Sequence, residues 1–205
     1  MNKMDEMIIV APRTPIFENE KLTFQGICKD KTSLEKITKN MAITYSVMRR
    51  GDAEENFDFK QPIPYVVLKR KNEVYAYKRL RGGGEKRLHS KISIGLGGHC
   101  NDVDNTDFDE MLYENLKREL SEEVRISNEN FKLKTIGLIN DDKNDVGRVH
   151  LGILLIAELE ENTSVSVRET EQLEGFWINI KDLKNNSVYI NLESWSQFVA
   201  DILNG

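Results

Sequence analysis

Apolar residues recur every three or four positions in some stretches of the chain and every second position in others. Ser33 to Arg50 carries Leu34, Ile37, Met41, Tyr45 and Met48 at near-helical spacing, with Ile43 slightly off phase, and predicts a helix. Asp107 to Arg125 is a clearer case. Leu112, Leu116, Leu120 and Val124 form one stripe, Thr106 or Asp107 offers a cap, and Asp109 or Glu110 answers three residues on. Glu193–Leu203 closes the chain as an amphipathic helix with Trp195, Phe198, Val199 and Ile202 inward.

Between these helices the pattern turns to strands. Met7–Val10 and Phe24–Ile27 are short apolar runs. Pro64–Arg70 and Glu73–Leu80 flank a Lys71-Asn72 turn and read as an antiparallel hairpin. Lys91–Leu96, Phe131–Asn140, Val149–Glu160, an edge strand at Ser164–Val167 and Gly175–Ile180 follow, with an acidic loop at Asp141–Asp145. The run GILLIAEL is apolar on both faces, so it belongs at the centre of a sheet. Asp52–Gln61 is polar and acidic and reads as a linker closed by Pro62 and Pro64. The expected organisation is an N-terminal extension over residues 1–59, carrying short strands and a helix, before an α/β domain over 60–205.

Composition narrows the class of protein. With 39% hydrophobic residues and 31% charged residues in 205, the chain can build one good-sized packed core. A net charge of −5 argues against a general nucleic-acid coat, and no apolar run approaches the roughly 18 residues of a membrane span. Two cysteines, Cys28 and Cys100, make no disulfide framework, so a soluble protein of the reducing cytoplasm is expected.

The chemistry sits in the segment from Glu110 to Ile126. On a helix turning about 100° per residue, Glu119, Glu122 and Glu123 share one face. Carboxylates held that close repel one another unless a cation lies among them, and hard divalent ions such as Mg²⁺ or Mn²⁺ take a few carboxylates plus waters and phosphate oxygens. Arg118 can orient one carboxylate by a bidentate contact. An acidic run on a helix is also what a solvated face looks like, and the spacing alone does not choose between the two.

The same segment resembles the Nudix box, G-x5-E-x7-R-E-U-x-E-E-x-G-U with U apolar. Glu110 matches the first glutamate, Arg118-Glu119 the R-E pair, Leu120 an apolar position, Glu122-Glu123 the E-E pair and Ile126 the last apolar position, and Gly97-Gly98 stands upstream after a strand. Two positions depart from the pattern. Asp104 stands where the ungapped pattern has glycine, so with Gly98 as the counterpart the loop to Glu110 is longer than usual, and Arg125 replaces the glycine after E-E. The resemblance implies a Nudix-type α/β/α sandwich around a mixed sheet. It also implies hydrolysis of a diphosphate linkage in a nucleoside-diphosphate-type small molecule by water, with Mg²⁺ or Mn²⁺. Glu119, Glu122 and Glu123 would hold the metal, with the Gly97 carbonyl as a further ligand. Arg118 would orient a glutamate, and Glu110 and Gly98 would support the site. KQPIPYVVL, GGGEKRL and SIGLGGH are similar to a little-characterised branch of predicted phosphoesterases, and that likeness brings no substrate with it.

The general base is open between Glu119 and Glu171, the latter in RETEQLEGFW before Trp177, where some family members carry a further glutamate on a late loop. Asp141, Asp142 and Asp145 read as turn residues. Lys78, Arg79, Arg81, Lys86, Arg87 and Lys91 surround Gly82-Gly83-Gly84 as a basic patch, which could grip substrate phosphate through Arg79, Arg81 and Arg87 or simply rim a hairpin. His99 could reach a phosphate or serve as a structural hydrogen-bonding residue. With Cys100 beside it a zinc site lacks a second ligand pair, and His89 and His150 carry no motif. A sensor on the same fold without turnover, or an isomerase using Cys100, are the alternative functions, and the extension could serve a homodimer interface.

Overall fold

In the computed structural model the described residues are 2–80, 91–103, 106–128 and 130–204. In chain order they form β1 (Met7–Pro12), α1 (Arg13–Ile16), β2 (Gly26–Cys28), α2 (Lys31–Thr44), β3 (Ser46–Arg49), α3 (Arg50–Ala53), β4 (Phe59–Arg70), β5 (Glu73–Arg79), β6 (Ile92–Ser93) and α4 (Phe108–Glu123). There follow β7 (Val124–Ile126), β8 (Lys132–Asn140), α5 (Asp145–Val149), β9 (His150–Glu158), β10 (Val165–Val167), β11 (Leu173–Asn179), α6 (Asn186–Tyr189) and α7 (Ser194–Leu203). The fold is α/β with a large mixed sheet whose hydrogen-bonded order runs β11-β5-β4-β9-β8-β2. β9, which carries GILLIAE, is an interior strand, as its two-sided apolar run requires. No described helix is long and apolar enough to cross a membrane.

Residues cluster into two compact units, and β4, β8, β9 and α4 each contribute residues to both. The first comprises Met1–Tyr65, Gly97–Lys117 and Ile136–Leu154. Within it β1 pairs antiparallel with β3, Ile8 opposite Met48 and Val10 opposite Ser46, and then with the start of β4, Ala11 opposite Lys60. Ile8, Val10 and Ala53 are buried together, with Met48 and Phe59 packed against them. The helix expected over Ser33–Arg50 therefore ends early. Asp30 caps α2 by accepting from the Ser33 N–H (2.8 Å), Tyr45 turns extended, and Ser46–Arg49 become a strand because β1 offers an unpaired edge and an apolar face. Ile43, off phase in the sequence, is 70% exposed.

The segment Asp52–Gln61 also differs from a linker. It holds the end of α3 and the start of β4, and Lys60 and Gln61 are buried at 0% and 1% exposure. Pro62 and Pro64 are inside β4 rather than before it. The Lys60 ammonium donates to Asn140 Oδ1 (2.7 Å), Asp142 Oδ1 (2.9 Å) and the Gly147 and His150 carbonyls (3.0 and 3.3 Å), so its buried donors are matched by acceptors. Asp142 in turn accepts from both terminal nitrogens of Arg13 (3.0 and 2.8 Å). Asp142 in the acidic loop is thus the anionic half of a charge network, and α5 forms between the end of that loop and β9, taking up Val149 where the strand was expected to begin.

Gly97 shows why a double glycine stands after β6. A Cβ there would come within 1.9 Å of the Pro64 carbonyl oxygen, a backbone atom that cannot swing away. Gly97→Ala is expected to cost at least about 2 kcal/mol, measured by urea unfolding. A variant as stable as the parent would show that this close approach is not needed.

The second unit comprises Val66–Leu96, Arg118–Thr135 and Leu155–Gly205. β5 pairs antiparallel with the end of β4 (Arg70 opposite Glu73), closing the expected hairpin with Lys71 in the left-handed region at φ 46°. β5 also pairs along its full length with β11, Trp177 opposite Tyr75, and with β6, Tyr77 opposite Ser93. Of the expected strand Lys91–Leu96 only Ile92–Ser93 is regular, joined by an isolated bridge between Leu96 and Val66. β7 pairs with β10, Val124 opposite Val167.

Candidate active site

The α4 stripe is buried as its periodicity requires: Leu112 8%, Leu116 1%, Leu120 7% and, just beyond, Val124 2% exposed. Asp107 is the residue that caps it, accepting from the Glu110 N–H at 2.9 Å, while the Thr106 hydroxyl donates to the Val103 carbonyl. Glu110 is exposed in the first turn, and its unit also holds Gly97 and Gly98.

In the second unit, the last turn of α4 carries the charged face. Arg118 Nη2 is 2.8 Å from Glu119 Oε1, and Nη1 is 3.3 Å from Glu122 Oε1. One guanidinium thus spans two of the three carboxylates. Burial works against its charge, and Glu119 and Glu122 more than offset that, holding it firmly protonated. Glu119 is mostly covered, 16% exposed in its side chain, whereas Glu122 is 58% exposed.

Helix α4 ends at Glu123 rather than Arg125, because Val124–Ile126 join β10 as a strand. No glycine is needed for this exit. The Arg168 N–H donates to the Glu123 carbonyl (2.9 Å) and its Nε to the Val124 carbonyl (3.1 Å), satisfying acceptors that the helix end leaves open. Leu80 N–H donates to the Gln172 carbonyl (2.7 Å). These contacts anchor both sides of the exposed turn that bears Glu171, so that turn is fixed beside the end of α4. Arg168 has no local signature in the sequence, being a lone arginine before a loop.

Within reach of the Glu123 charge lies a buried phenol. Burial pushes the Tyr77 hydroxyl well above its usual 10, the negative charges of Glu123 and Glu193 add to this, and the hydroxyl donates to the Gly95 carbonyl at 3.3 Å. Arg79 lies 5.7 Å from the Tyr77 ring and 3.5 Å from Glu193 Oε1. Its charge is disfavoured by burial and held by Tyr77, Glu193 and Glu123. Arg81 and Arg87, together with Gly82-Gly83-Gly84 and His89, lie outside the described residues, as does Asp104.

The donors on the last turn of α4 are all carboxylate oxygens, which suits a hard divalent cation and not a soft one. Arg118 supplies the positive charge between Glu119 and Glu122 here. Among the described residues, the only group of three or more ligating side chains with all ligand atoms within 4.8 Å is elsewhere, in the first unit: Glu54, His99 and His150. His99 belongs to that group. His150 carries no motif and Glu54 no local signature, because nearly a hundred residues of chain separate the two.

No protein-family model matches the chain. Protein YmaB of Bacillus subtilis (strain 168) is 51% identical over 205 residues, covering 99% of this chain and 100% of that relative. Among solved structures, Tm1382, whose own assignment as a Nudix hydrolase is provisional, is 30% identical with a TM-score of 0.78, across 97% of this chain and 98% of that one. A MutT Nudix hydrolase from Burkholderia pseudomallei is 16% identical over 69% of this chain and 96% of that one, with a TM-score of 0.49.

Proposed function

Because the chain belongs to the Nudix hydrolase superfamily, we propose that it hydrolyses a diphosphate linkage in a nucleoside-diphosphate-type small molecule, with Mg²⁺ or Mn²⁺. The observation that carries this reading is the last turn of α4, where Arg118 braces Glu119 and Glu122 while Glu123 stands beside them. A solvated acidic face has no need of a partly buried arginine spanning two of its acids. Glu119, Glu122 and Glu123 would hold the cation, which when bound neutralises charge on the phosphoryl oxygens and lowers the pKa of the nucleophilic water.

The chain's own residues divide the remaining work. Arg118 restricts the rotamers of Glu119 and Glu122, so the carboxylates need little reorganisation to receive the cation. Arg79 offers a fixed positive charge for a substrate phosphate. Glu171 is the better candidate for the base, because Glu119 is mostly covered and engaged by Arg118 whereas Glu171 is exposed on an anchored turn. The water oxygen attacks phosphorus, the bridging P–O bond breaks with its electron pair on the departing phosphate, and the water proton passes to the Glu171 carboxylate. Glu171→Gln should lower kcat by about 100-fold or more with KM little changed. An unchanged kcat would move the role to Glu119.

The direct test is a screen of nucleoside triphosphates and nucleoside diphosphate derivatives with Mg²⁺ or Mn²⁺, reading the phosphate products released. Turnover that vanishes on chelation supports the reading, and binding without turnover across the panel would favour a sensor on the same fold. An isomerase is disfavoured by the position of Cys100, 1% exposed and thus poorly placed to meet a substrate.

A further inference from the structure

We infer that Glu54, His99 and His150 form a separate metal site, distinct in chemistry from the α4 carboxylates, that takes a zinc-like divalent cation. Three segments of the first unit bring the ligands together. Glu54 follows directly on α3 and donates its N–H to the Arg50 carbonyl (2.9 Å). His99 lies between Gly98 and Cys100, whose carbonyl accepts from the Ile9 N–H at 2.7 Å. His150 is the first residue of β9.

The geometry is that of a coordination triangle. The two Nε2 atoms are 3.2 Å apart, and Glu54 Oε1 lies 3.4 Å from His99 Nε2 and 3.9 Å from His150 Nε2. Two ligands each about 2.05 Å from a tetrahedral ion are about 3.3 Å apart, so these edges need only tenths of an ångström of adjustment. A point equidistant from the three atoms is about 2.0 Å from each, the length of a zinc bond to nitrogen or carboxylate oxygen.

The hydrogen bonding of His150 points the same way. Its Nδ1 is 2.6 Å from the Val146 carbonyl. A carbonyl only accepts, so Nδ1 carries the proton, and the neutral ring turns the lone pair of Nε2 toward the cluster. That is the outer hydrogen bond by which ligating imidazoles are commonly oriented. Two borderline imidazole nitrogens with one harder carboxylate oxygen make a mixed donor set that suits zinc, whereas magnesium prefers oxygen throughout. With side-chain exposures of 25% for Glu54, 14% for His99 and 9% for His150, the group is covered but still reachable, which leaves room for water as a fourth ligand. Arg50, 3.6 Å from Glu54 and 3.4 Å from Glu6, competes for the carboxylate and sets a limit on affinity.

Bound there, the ion would tie the end of α3 to the segment after the double glycine and to the start of β9, so its first consequence is stability. The competing account is a proton on His99 Nε2, shared between His150 and Glu54. The test uses the full chain carrying Glu122→Gln and Glu123→Gln, which weakens the α4 carboxylate set, stripped with chelator and titrated with Zn²⁺ or Co²⁺. We expect one ion per chain, a raised melting temperature, cobalt absorption bands of a four- or five-coordinate site, and no such response to Mg²⁺. Glu54→Gln and His99→Gln should each weaken zinc binding at least about 100-fold. His150 is the most buried of the three, so if His150→Gln fails to fold, the other two variants decide. No uptake of zinc at micromolar concentration, or uptake unchanged in His99→Gln and Glu54→Gln, would overturn the assignment. Neither result bears on diphosphate hydrolysis, which the unsubstituted chain reports separately.

Discussion

Replacing Glu122 or Glu123 with glutamine is expected to lower turnover of an accepted diphosphate substrate at least about 100-fold while leaving the chain folded. Glutamine keeps the shape and removes the charge, so the loss falls on cation binding and on stabilisation of the phosphoryl oxygens. The structural cost is small at Glu122: its carboxylate is 58% exposed, and its 3.3 Å contact with Arg118 is a surface ion pair worth no more than about 1 kcal/mol. Steady-state rates at saturating Mg²⁺ or Mn²⁺, with a thermal melt of each variant, check this. Rates unchanged in both variants would remove α4 from the chemistry and leave the fold without an assigned metal face.

The second large effect is on stability. Asp142→Asn should destabilise the chain by about 3 kcal/mol at neutral pH, because it leaves the buried Lys60 ammonium and Arg13 without their shared anion. For a chain of this size that is a fall of about 6–12 °C in Tm. Burial by itself would raise the Asp142 carboxyl, but hydrogen bonds from Arg13, Lys60 and Asn140 outweigh it and hold the group well below the usual carboxylate range. Burial also lowers Lys60 to about 8, with Asp142 resisting the shift. A carboxyl whose folded pKa is depressed contributes stability above its ordinary value of 3.8 and loses it as pH falls toward the folded pKa. The difference between parent and variant should therefore narrow below about pH 4. A constant difference from pH 7 down to pH 3 would show that the carboxylate charge is not what stabilises the network.

Local pattern disclosed the elements whose signals are short-range. The β4–β5 hairpin needs only two apolar runs and a two-residue turn, and the α4 stripe and its acid face follow from helical spacing within Asp107–Glu123. Ser46–Arg49 form a strand although the local pattern that marks α4 also favours a helix here. Tyr45 and Met48 fit a helical period, but β1 was out of sight, and a strand edge outweighs a weak local preference.

By itself the sequence determined the elements whose signals lie within a few residues of one another: the capped, striped α4, its row of glutamates with Arg118, and the apolar interior strand β9. Only the tertiary structure decided which distant polar groups would meet. Lys60 in an apparent linker found Asp142, Arg168 closed the end of α4, and His99 found Glu54 and His150. Periodicity records how a segment shares its surface between core and solvent, but a buried charge or an imidazole must find its partner across the fold, and chain spacing carries no record of that meeting.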